Sequence, residues 1–281
     1  MRAYRVAYDG RAYHGFQRQP DVDTVEGRLL SALARLGVCE RGEVPPGYAA
    51  AGRTDAGVSA RAQTVAFDAP AWLSPTAFNG ELPDDVRAWA SADVPDDFHA
   101  THDATERAYT YYLYAPRGER GDGADGDGGR AARFDDGRWA DAVDALAGEH
   151  DFHNLTTDDD GTVRAVDIEW TREGDVLVVR FAAGGFCRQL VRRLVGLAAA
   201  VGRGTASRSR IDRVLSPDPV SGPDGVAPAP PEPLVLTDVT YPDVRFTVDE
   251  DAAASARAAF EARRGRALAI ARVAGHLSDG L

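Results

Sequence analysis

The 281-residue chain contains no lysine, and all 32 of its basic residues are arginine. The acidic residues number 44, so the formal net charge is -12 at pH 7. Surplus carboxylates without lysine are typical of proteins that stay soluble in concentrated salt, which screens carboxylate repulsion. A GC-rich coding bias, which favours Arg, Ala, Gly and Asp, is an alternative cause. A nucleic-acid site in such a chain has to be a local arginine patch within an acidic surface.

Cysteine and long apolar runs are also scarce. With only Cys39 and Cys187 present, a disulfide framework and a cysteine-based zinc site are excluded. No apolar run reaches the roughly 18–20 residues that a bilayer span needs, so we expect no membrane segment. The first residues lack the apolar core of a signal peptide, and the expected compartment is the cytosol. Hydrophobic residues make up 44% of the chain, which is enough for a sizeable core.

The hydrophobic periodicity predicts two strand-rich halves with flanking helices. This pattern favours an α+β fold with a mostly antiparallel sheet. The predicted strands are 4–9, 48–50, 64–67, 86–90, 109–114, 163–171, 176–182 and 234–241. The predicted helices are 24–36, 74–86 (which includes a turn), 139–147, 187–201 and 249–277.

These elements suggest an N-terminal subdomain over 1–103, a C-terminal subdomain over 104–245 and a helical tail over 246–281. The stretch 117–129 is rich in Gly, Asp and Arg, which predicts a mobile loop or insertion. The stretch 216–233 holds seven of the 16 prolines, which predicts an extended segment.

The loop around Asp55 carries the clearest chemical signal. Gly52 precedes the aspartate and a second glycine follows it, and such a loop can hold a carboxylate at the mouth of a cleft. Arg53 lies two residues earlier, and a nearby guanidinium keeps a partly buried carboxylate ionised. An ionised, desolvated Asp is a suitable nucleophile. The same residues also fit an Arg–Asp pair that only fixes a turn, and pattern alone favours this second interpretation.

The string Gly52-Arg53-Thr54-Asp55-Ala56-Gly57-Val58 closely resembles the catalytic motif of the TruA family of tRNA pseudouridine synthases. Further blocks resemble the same family, in order, over about residues 3–242. They are Tyr8–Gly10, Tyr13–Pro20, Thr24–Gly27, Asn79–Pro83, Phe98–Ala100, Arg107–Tyr111, Gly148–Phe152 and Gln189–Gly196. The composition is of haloarchaeal type. The resemblance therefore favours a catalytic role for Asp55 over a purely structural one.

The resemblance implies the pseudouridine synthase fold, in which two similar subdomains share a long, mostly antiparallel sheet flanked by helices. It also implies an isomerase that converts uridine to pseudouridine at positions 38–40 of tRNA, in the anticodon arm. The enzyme would act without a cofactor or metal, as a cytoplasmic homodimer. Which of the three positions is modified stays open.

The family's functional residues carry over one by one. Asp55 falls on the catalytic aspartate, and Arg53 and Arg192 fall on the arginines around it. Tyr109 falls on the tyrosine that packs against the target base, and Leu234 falls on an apolar residue of the same pocket. Asp55 would either attack the sugar or base as a nucleophile, or deprotonate the sugar after the base departs. The sequence leaves both routes open.

The arginines in and after the predicted helix 187–201 form the best basic patch. Arg188, Arg193 and Arg203 are the candidates for RNA binding. A helix face paired with carboxylates is the alternative interpretation. Two pairs of histidines have i, i+3 spacing, but neither has a third carboxylate at ligand spacing, so we expect no metal site.

The sequence also has to be compared with two other function classes, a non-catalytic RNA-binding protein and a hydrolase. The first is a non-catalytic tRNA-binding protein or folding chaperone on the same fold. The presence of Asp55, Arg53, Tyr109 and Arg192 together argues against it. The second is a carboxylate hydrolase of unrelated fold, which would need a second acid in the motif region that the sequence does not supply.

Overall fold

The computed structural model describes residues 1–117, 134–220, 222 and 225–279. The chain folds into two units, of which the first comprises Met1–Asp103 and Tyr241–Leu281 and the second comprises Ala104–Thr240. The C-terminal segment thus returns to the first unit after the second is complete. The three-part division expected from the sequence stays a prediction. The predicted loop 117–129 lies, from residue 118 onward, outside the described residues.

The secondary structure of the described residues confirms the expected α+β class. The strands are β1 (Arg2–Tyr8), β2 (Ala49–Ala50), β3 (Ser59–Phe67), β4 (Val86–Asp93), β5 (Glu106–Tyr114), β6 (Gly148–Asp151), β7 (Val163–Glu173), β8 (Val176–Ala183), β9 (Leu234–Thr240) and β10 (Thr247–Val248). The helices are α1 (Val25–Arg35), α2 (Pro75–Asn79), α3 (Asp136–Leu146), α4 (Leu190–Gly202), α5 (Ser209–Val214) and α6 (Glu250–Asp279). None of these helices is long and apolar enough to cross a membrane.

The first unit contains an antiparallel sheet in the order β10–β4–β1–β3, with β2 paired to β3. Aromatic rings fill its core, where Tyr4 stacks on Phe67 with 5.2 Å between centroids. Phe78 meets Tyr4 edge-on at 5.7 Å. Strand β3 begins five residues before the predicted start at 64, because its pairing with β1 continues as far as Ala60, opposite Tyr8.

The tail helix α6 packs on β4 and α2 of the first unit. Its start is held by Asp249, whose carboxylate accepts hydrogen bonds from the Ala252 amide at 3.0 Å and the Thr76 hydroxyl at 2.8 Å. Burial opposes ionisation, but these hydrogen bonds keep the pKa of Asp249 below its ordinary value. Side chains near the start of α6 are buried, whereas Leu268 and Ile270, nearer its end, are exposed.

The second unit contains an antiparallel sheet in the order β9–β5–β8–β7–β6. Helices α3 and α4 pack against each other, and Trp139 on α3 is completely buried. Helix α4 begins at Leu190, three residues later than predicted. The reason is local, because Gln189 has a φ of 60°, which lies in the left-handed region and cannot belong to a right-handed helix.

Candidate active site

Asp55 lies in the loop between β2 and β3, and its side chain is half-buried. The Val58 amide donates to the Asp55 carbonyl at 3.1 Å, which closes a four-residue turn. Gly57, the third residue of this turn, has a φ of 83°. A type II turn requires a positive φ at that position, which favours glycine. The glycine after the aspartate therefore shapes the turn that presents Asp55.

The opening segment of the chain anchors this turn through backbone hydrogen bonds. The Phe16 amide donates to the Thr54 carbonyl at 3.0 Å. The Gly57 amide donates to the Tyr13 carbonyl at 3.2 Å. Two blocks that are separate in the sequence thus form one structural element around Asp55.

Close backbone approach at Gly10 makes this arrangement possible. A Cβ atom at Gly10 would lie 1.9 Å from the Val58 carbonyl oxygen, which no side chain permits. The Gly10 amide also donates to the Ser59 hydroxyl at 3.0 Å. The start of β3 and the opening segment are therefore in direct contact at the base of the turn.

Buried polar groups support the loop from inside the first unit. The hydroxyls of Tyr8 and Thr54 share a buried hydrogen bond of 2.8 Å. The Gln63 side-chain amide donates to the Gly52 carbonyl at 2.9 Å. The side chain of Arg53, in contrast, is exposed. The sheet therefore determines the position of the loop, while Arg53 extends into solvent.

Tyr109 lies on β5 of the second unit and is half-buried. It is opposite Phe181 on β8 and Leu236 on β9, next to an irregularity in the β5–β9 pairing. Its ring meets Phe186 edge-on, with 5.3 Å between centroids. Sequence reasoning missed Phe186, whose only signal is an aromatic residue directly after two glycines. The pair makes Phe186 a neighbour that orients the Tyr109 ring.

Arg192 lies in the first turn of α4 and joins this helix to the proline-rich segment. Its Nε donates to the Ala229 carbonyl at 2.7 Å, and the Ala229 amide donates to the Arg192 carbonyl at 2.9 Å. Gly196, one turn further along, allows the two backbones to approach. A Cβ atom there would lie 2.7 Å from the Ala227 carbonyl oxygen.

Leu234 is the first residue of β9 and is only 4% exposed. It lies opposite Tyr111 on β5, whose hydroxyl donates to the Pro230 carbonyl at 3.0 Å. Burial raises the pKa of Tyr111 to about 12, so this hydroxyl stays a donor at neutral pH. The Pro233 carbonyl accepts from the Tyr112 amide at 3.1 Å, so the proline continues the strand pairing before Leu234.

Two of the three RNA-binding candidates are exposed. Arg188 has an exposed side chain, although its Nε lies 3.7 Å from the Asp158 carboxylate and its backbone amide donates to the same carboxylate at 2.7 Å. Arg203 follows α4 and places its guanidinium carbon 5.9 Å from the centroid of the Phe134 ring. Both arginines therefore retain access to solvent and to an external phosphate.

Arg193 is held inside the second unit. Its side chain is half-buried, and its Nη1 donates to the Val226 carbonyl at 2.6 Å. Its Nη2 donates to the side-chain oxygen of Gln189 at 3.2 Å. Arg193 thus stabilises the same proline-rich segment as its neighbour Arg192.

The predicted site residues divide between the two units. Asp55 and Arg53 belong to the first, and Tyr109, Arg192 and Leu234 belong to the second. Among residues 1–117, 134–220, 222 and 225–279, no group of three or more His, Cys, Asp or Glu side chains is arranged to hold a metal ion.

Comparison with known proteins identifies the family. A family model described as tRNA pseudouridine synthase matches residues 142–242. The tRNA pseudouridine synthase A of Haloarcula marismortui is 74% identical, covering 100% of both chains. That of Natronomonas pharaonis is 60% identical over 99% of both chains. That of Archaeoglobus fulgidus is 36% identical over 88% of this chain and 86% of the relative.

Among solved structures, a Cbf5-Nop10-Gar1 complex gives a TM-score of 0.29 at 14% identity, covering 71% of this chain and 54% of that chain. The relatives from Haloarcula marismortui and Natronomonas pharaonis are decisive, because the similarity covers at least 99% of both chains. The chain belongs to the tRNA pseudouridine synthase A family.

Proposed function

We propose that this isomerase converts uridine to pseudouridine at positions 38–40 in the anticodon arm of tRNA. The enzyme class rests on the full-length relatives, one of them 74% identical. The position in tRNA, a cytoplasmic location and a homodimeric state are the finer parts of the proposal. The family resemblance supports them.

The proposed reaction balances without a redox partner or energy source. The bond between N1 of uracil and C1′ of ribose breaks, the uracil rotates, and a bond forms between C5 and C1′. A proton leaves C5 and a proton is taken up at N1, so that the product is an isomer of the substrate. The chain therefore has to supply a nucleophile or base, a place for the extruded uracil, and contacts to the RNA backbone.

The observation that supports the proposal best is the way the Asp55 turn is held. The turn is closed by its own hydrogen bond to Val58 and is anchored at Gly57 by the Tyr13 carbonyl. A turn whose backbone is fixed in this manner restricts where the Asp55 carboxylate can lie, so less freedom is lost on reaching the transition state. Asp55 acts either as the nucleophile or as the base that deprotonates the sugar.

The other site residues have distinct proposed roles. Extrusion of the target base costs a few kcal/mol of stacking, and Tyr109 offsets this by stacking on the extruded uracil. Leu234 supplies an apolar wall, which its burial and position at the start of β9 support. Arg53 and Arg192 are the two arginines that the family resemblance assigns to the support of Asp55.

The proposed RNA-binding surface is centred on the acid-free stretch 176–211, which contains seven arginines. Exposed Arg188 and Arg203 are suited to bind phosphates. Arg193 stays a predicted RNA-binding residue, although its guanidinium already donates a hydrogen bond to the carbonyl of Val226.

Tritium release from tRNA labelled at C5 of uridine tests this proposal. We expect release from a transcript with uridine at positions 38, 39 and 40, and none once all three are replaced by cytidine. Release that persists after the replacement would move the activity to another site. Binding without release from any tRNA would favour the non-catalytic alternative. Light scattering tests the dimer, for which twice the chain mass of 30.0 kDa is expected.

A further inference from the structure

The tail helix α6 reaches the segment that anchors the Asp55 turn. Arg263 places its Nη1 3.3 Å from the Asp9 carboxylate and its Nη2 3.5 Å from the Asp85 carboxylate. The three side chains are largely buried, at 28%, 11% and 18% exposure. The Asp9 amide also donates to the Asp85 carbonyl at 3.0 Å. One guanidinium therefore bridges two neighbouring carboxylates.

The two carboxylates differ in how much they depend on this bridge. Asp9 has a second partner, because the Arg11 guanidinium lies 2.6 Å from its carboxylate. Asp85 accepts a hydrogen bond of 2.7 Å from the Tyr13 hydroxyl, and its ion-pair partner in the described residues is Arg263. Removing Arg263 would leave a largely buried carboxylate without its counter-charge, which is costly.

The cluster connects directly to the candidate active site. Tyr13, whose hydroxyl contacts Asp85, accepts the hydrogen bond from the Gly57 amide in the Asp55 turn. Gly10, the neighbour of Asp9, lies against the Val58 carbonyl at the end of the same turn. Two short routes therefore lead from Arg263 to the turn, one through Tyr13 and one through Gly10.

We propose that Arg263 is a positioning residue for Asp55, through which the tail helix holds the opening segment and its turn in the reactive geometry. This inference rests on the proposed function of Asp55. Arg263 does not contact the substrate in this proposal. Its loss should therefore slow the reaction without weakening tRNA binding, because small displacements of a reacting group reduce the rate strongly.

The test compares three single variants with the parent enzyme. Arg263→Ala should lower the single-turnover rate of tritium release by about tenfold to a hundredfold, with a tRNA dissociation constant within about twofold. Arg263→Lys, which keeps one charge, should recover part of the rate. Arg264→Ala is the matched control, because Arg264 is exposed and pairs with Glu261 of its own helix. It should keep the parental rate.

A double-mutant cycle with Asp85→Asn tests the route that runs through Asp85 and Tyr13. If Arg263 acts through Asp85, Arg263→Ala should lower the rate by at most about twofold further in the Asp85→Asn background. Effects that are independent both in this cycle and in the same cycle with Asp9→Asn would overturn the proposal, as would a parental rate in Arg263→Ala. Weaker tRNA binding at an unchanged rate would also overturn it and would instead make the tail helix an RNA contact.

An unfolded Arg263→Ala variant and an inactive parent enzyme lead to different conclusions. If Arg263→Ala is unfolded at the assay temperature, Arg263→Lys decides, since a slowed rate with retained affinity supports the proposal and a parental rate overturns it. If neither the parent nor Arg264→Ala releases tritium from any tRNA, the proposed function itself fails. That failure differs from a loss confined to Arg263 variants.

Discussion

The two units hold their parts of the candidate site by different means. In the first, the loop that carries Asp55 is fixed by backbone hydrogen bonds and by close approach at Gly10. In the second, the side chain of the candidate site residue Arg192 itself holds a neighbouring segment, because it donates to the carbonyl of Ala229. A catalytic group on a backbone-anchored loop can be changed with little loss of stability. A group whose side chain also holds a segment cannot.

The largest effect that this comparison predicts is on activity at Asp55. Asp55→Asn removes the charge and the nucleophile but keeps the shape, so we expect no detectable pseudouridine. The free energy of unfolding should fall by no more than about 1 kcal/mol, because Asn keeps the shape of Asp and the backbone hydrogen bonds of the turn remain. The tRNA affinity should stay within about tenfold, or 1.4 kcal/mol. Tritium release, filter binding and urea unfolding measure the three quantities, and sustained turnover would place the catalytic group elsewhere.

The anchoring of the loop predicts the largest effect on stability. Gly10→Ala places a methyl group where the Val58 carbonyl lies 1.9 Å away, so the opening segment must shift. We expect the free energy of unfolding to fall by about 3 kcal/mol. Gly52→Ala, in the loop that carries Asp55, is the control, because its Cβ would meet nothing within 4 Å. Urea unfolding of both variants checks this, and equal stabilities would show that the contact at Gly10 is easily relieved.

The second unit predicts a combined effect at Arg192. Arg192→Ala removes a hydrogen bond of 2.7 Å from a charged donor to Ala229, which costs about 2 kcal/mol. Activity should also fall, though less than in Asp55→Asn, because the reacting oxygen remains. Urea unfolding and single-turnover rates measured on the same sample distinguish the two losses. An Arg192→Ala variant with parental stability would show that the Arg192 side chain does not hold the second unit, and the two units would then not differ in this respect.

Asp249 is a case within the first unit in which a side chain provides the anchor, because its carboxylate holds the start of α6. Asp249→Ala should lower the free energy of unfolding by about 1 kcal/mol, since the carboxylate caps α6. Asp249→Asn retains a capping oxygen and should lose less.

The capping carboxylate also predicts a pH dependence. Hydrogen bonds lower the folded-state pKa of Asp249 below the ordinary 3.8. The stabilisation due to its charge is therefore fully present above about pH 3.8 and disappears as the pH falls through the lower, folded-state pKa. Urea unfolding at a series of pH values should show parent and Asp249→Asn converging in acid. A difference that is independent of pH would contradict the assigned role of the charge.

The patterns that sequence reasoning interpreted correctly are local ones. Strand alternation and the Thr24 cap of α1 involve residues a few positions apart, and the structure contains these elements. Errors arose at element ends, where a partner strand or a single backbone angle decides. Strand β3 extends back to Ser59 because β1 pairs with it, and α4 starts late because of Gln189. The short strand β10, paired with β4, was not predicted.

The seven-residue string around Asp55 was enough to indicate the family, because residue types at fixed short spacing can be read from the chain without its fold. Three contacts between distant segments are visible only in the folded chain: Gly10 packs on Val58, Arg193 donates to an internal carbonyl, and Arg263 bridges Asp9 and Asp85. Asp9 and Arg263 are 254 positions apart. Local periodicity indicates which face of an element is apolar. It contains no information on which distant segment will supply a counter-charge, because two such distant residues meet only when the folded chain packs.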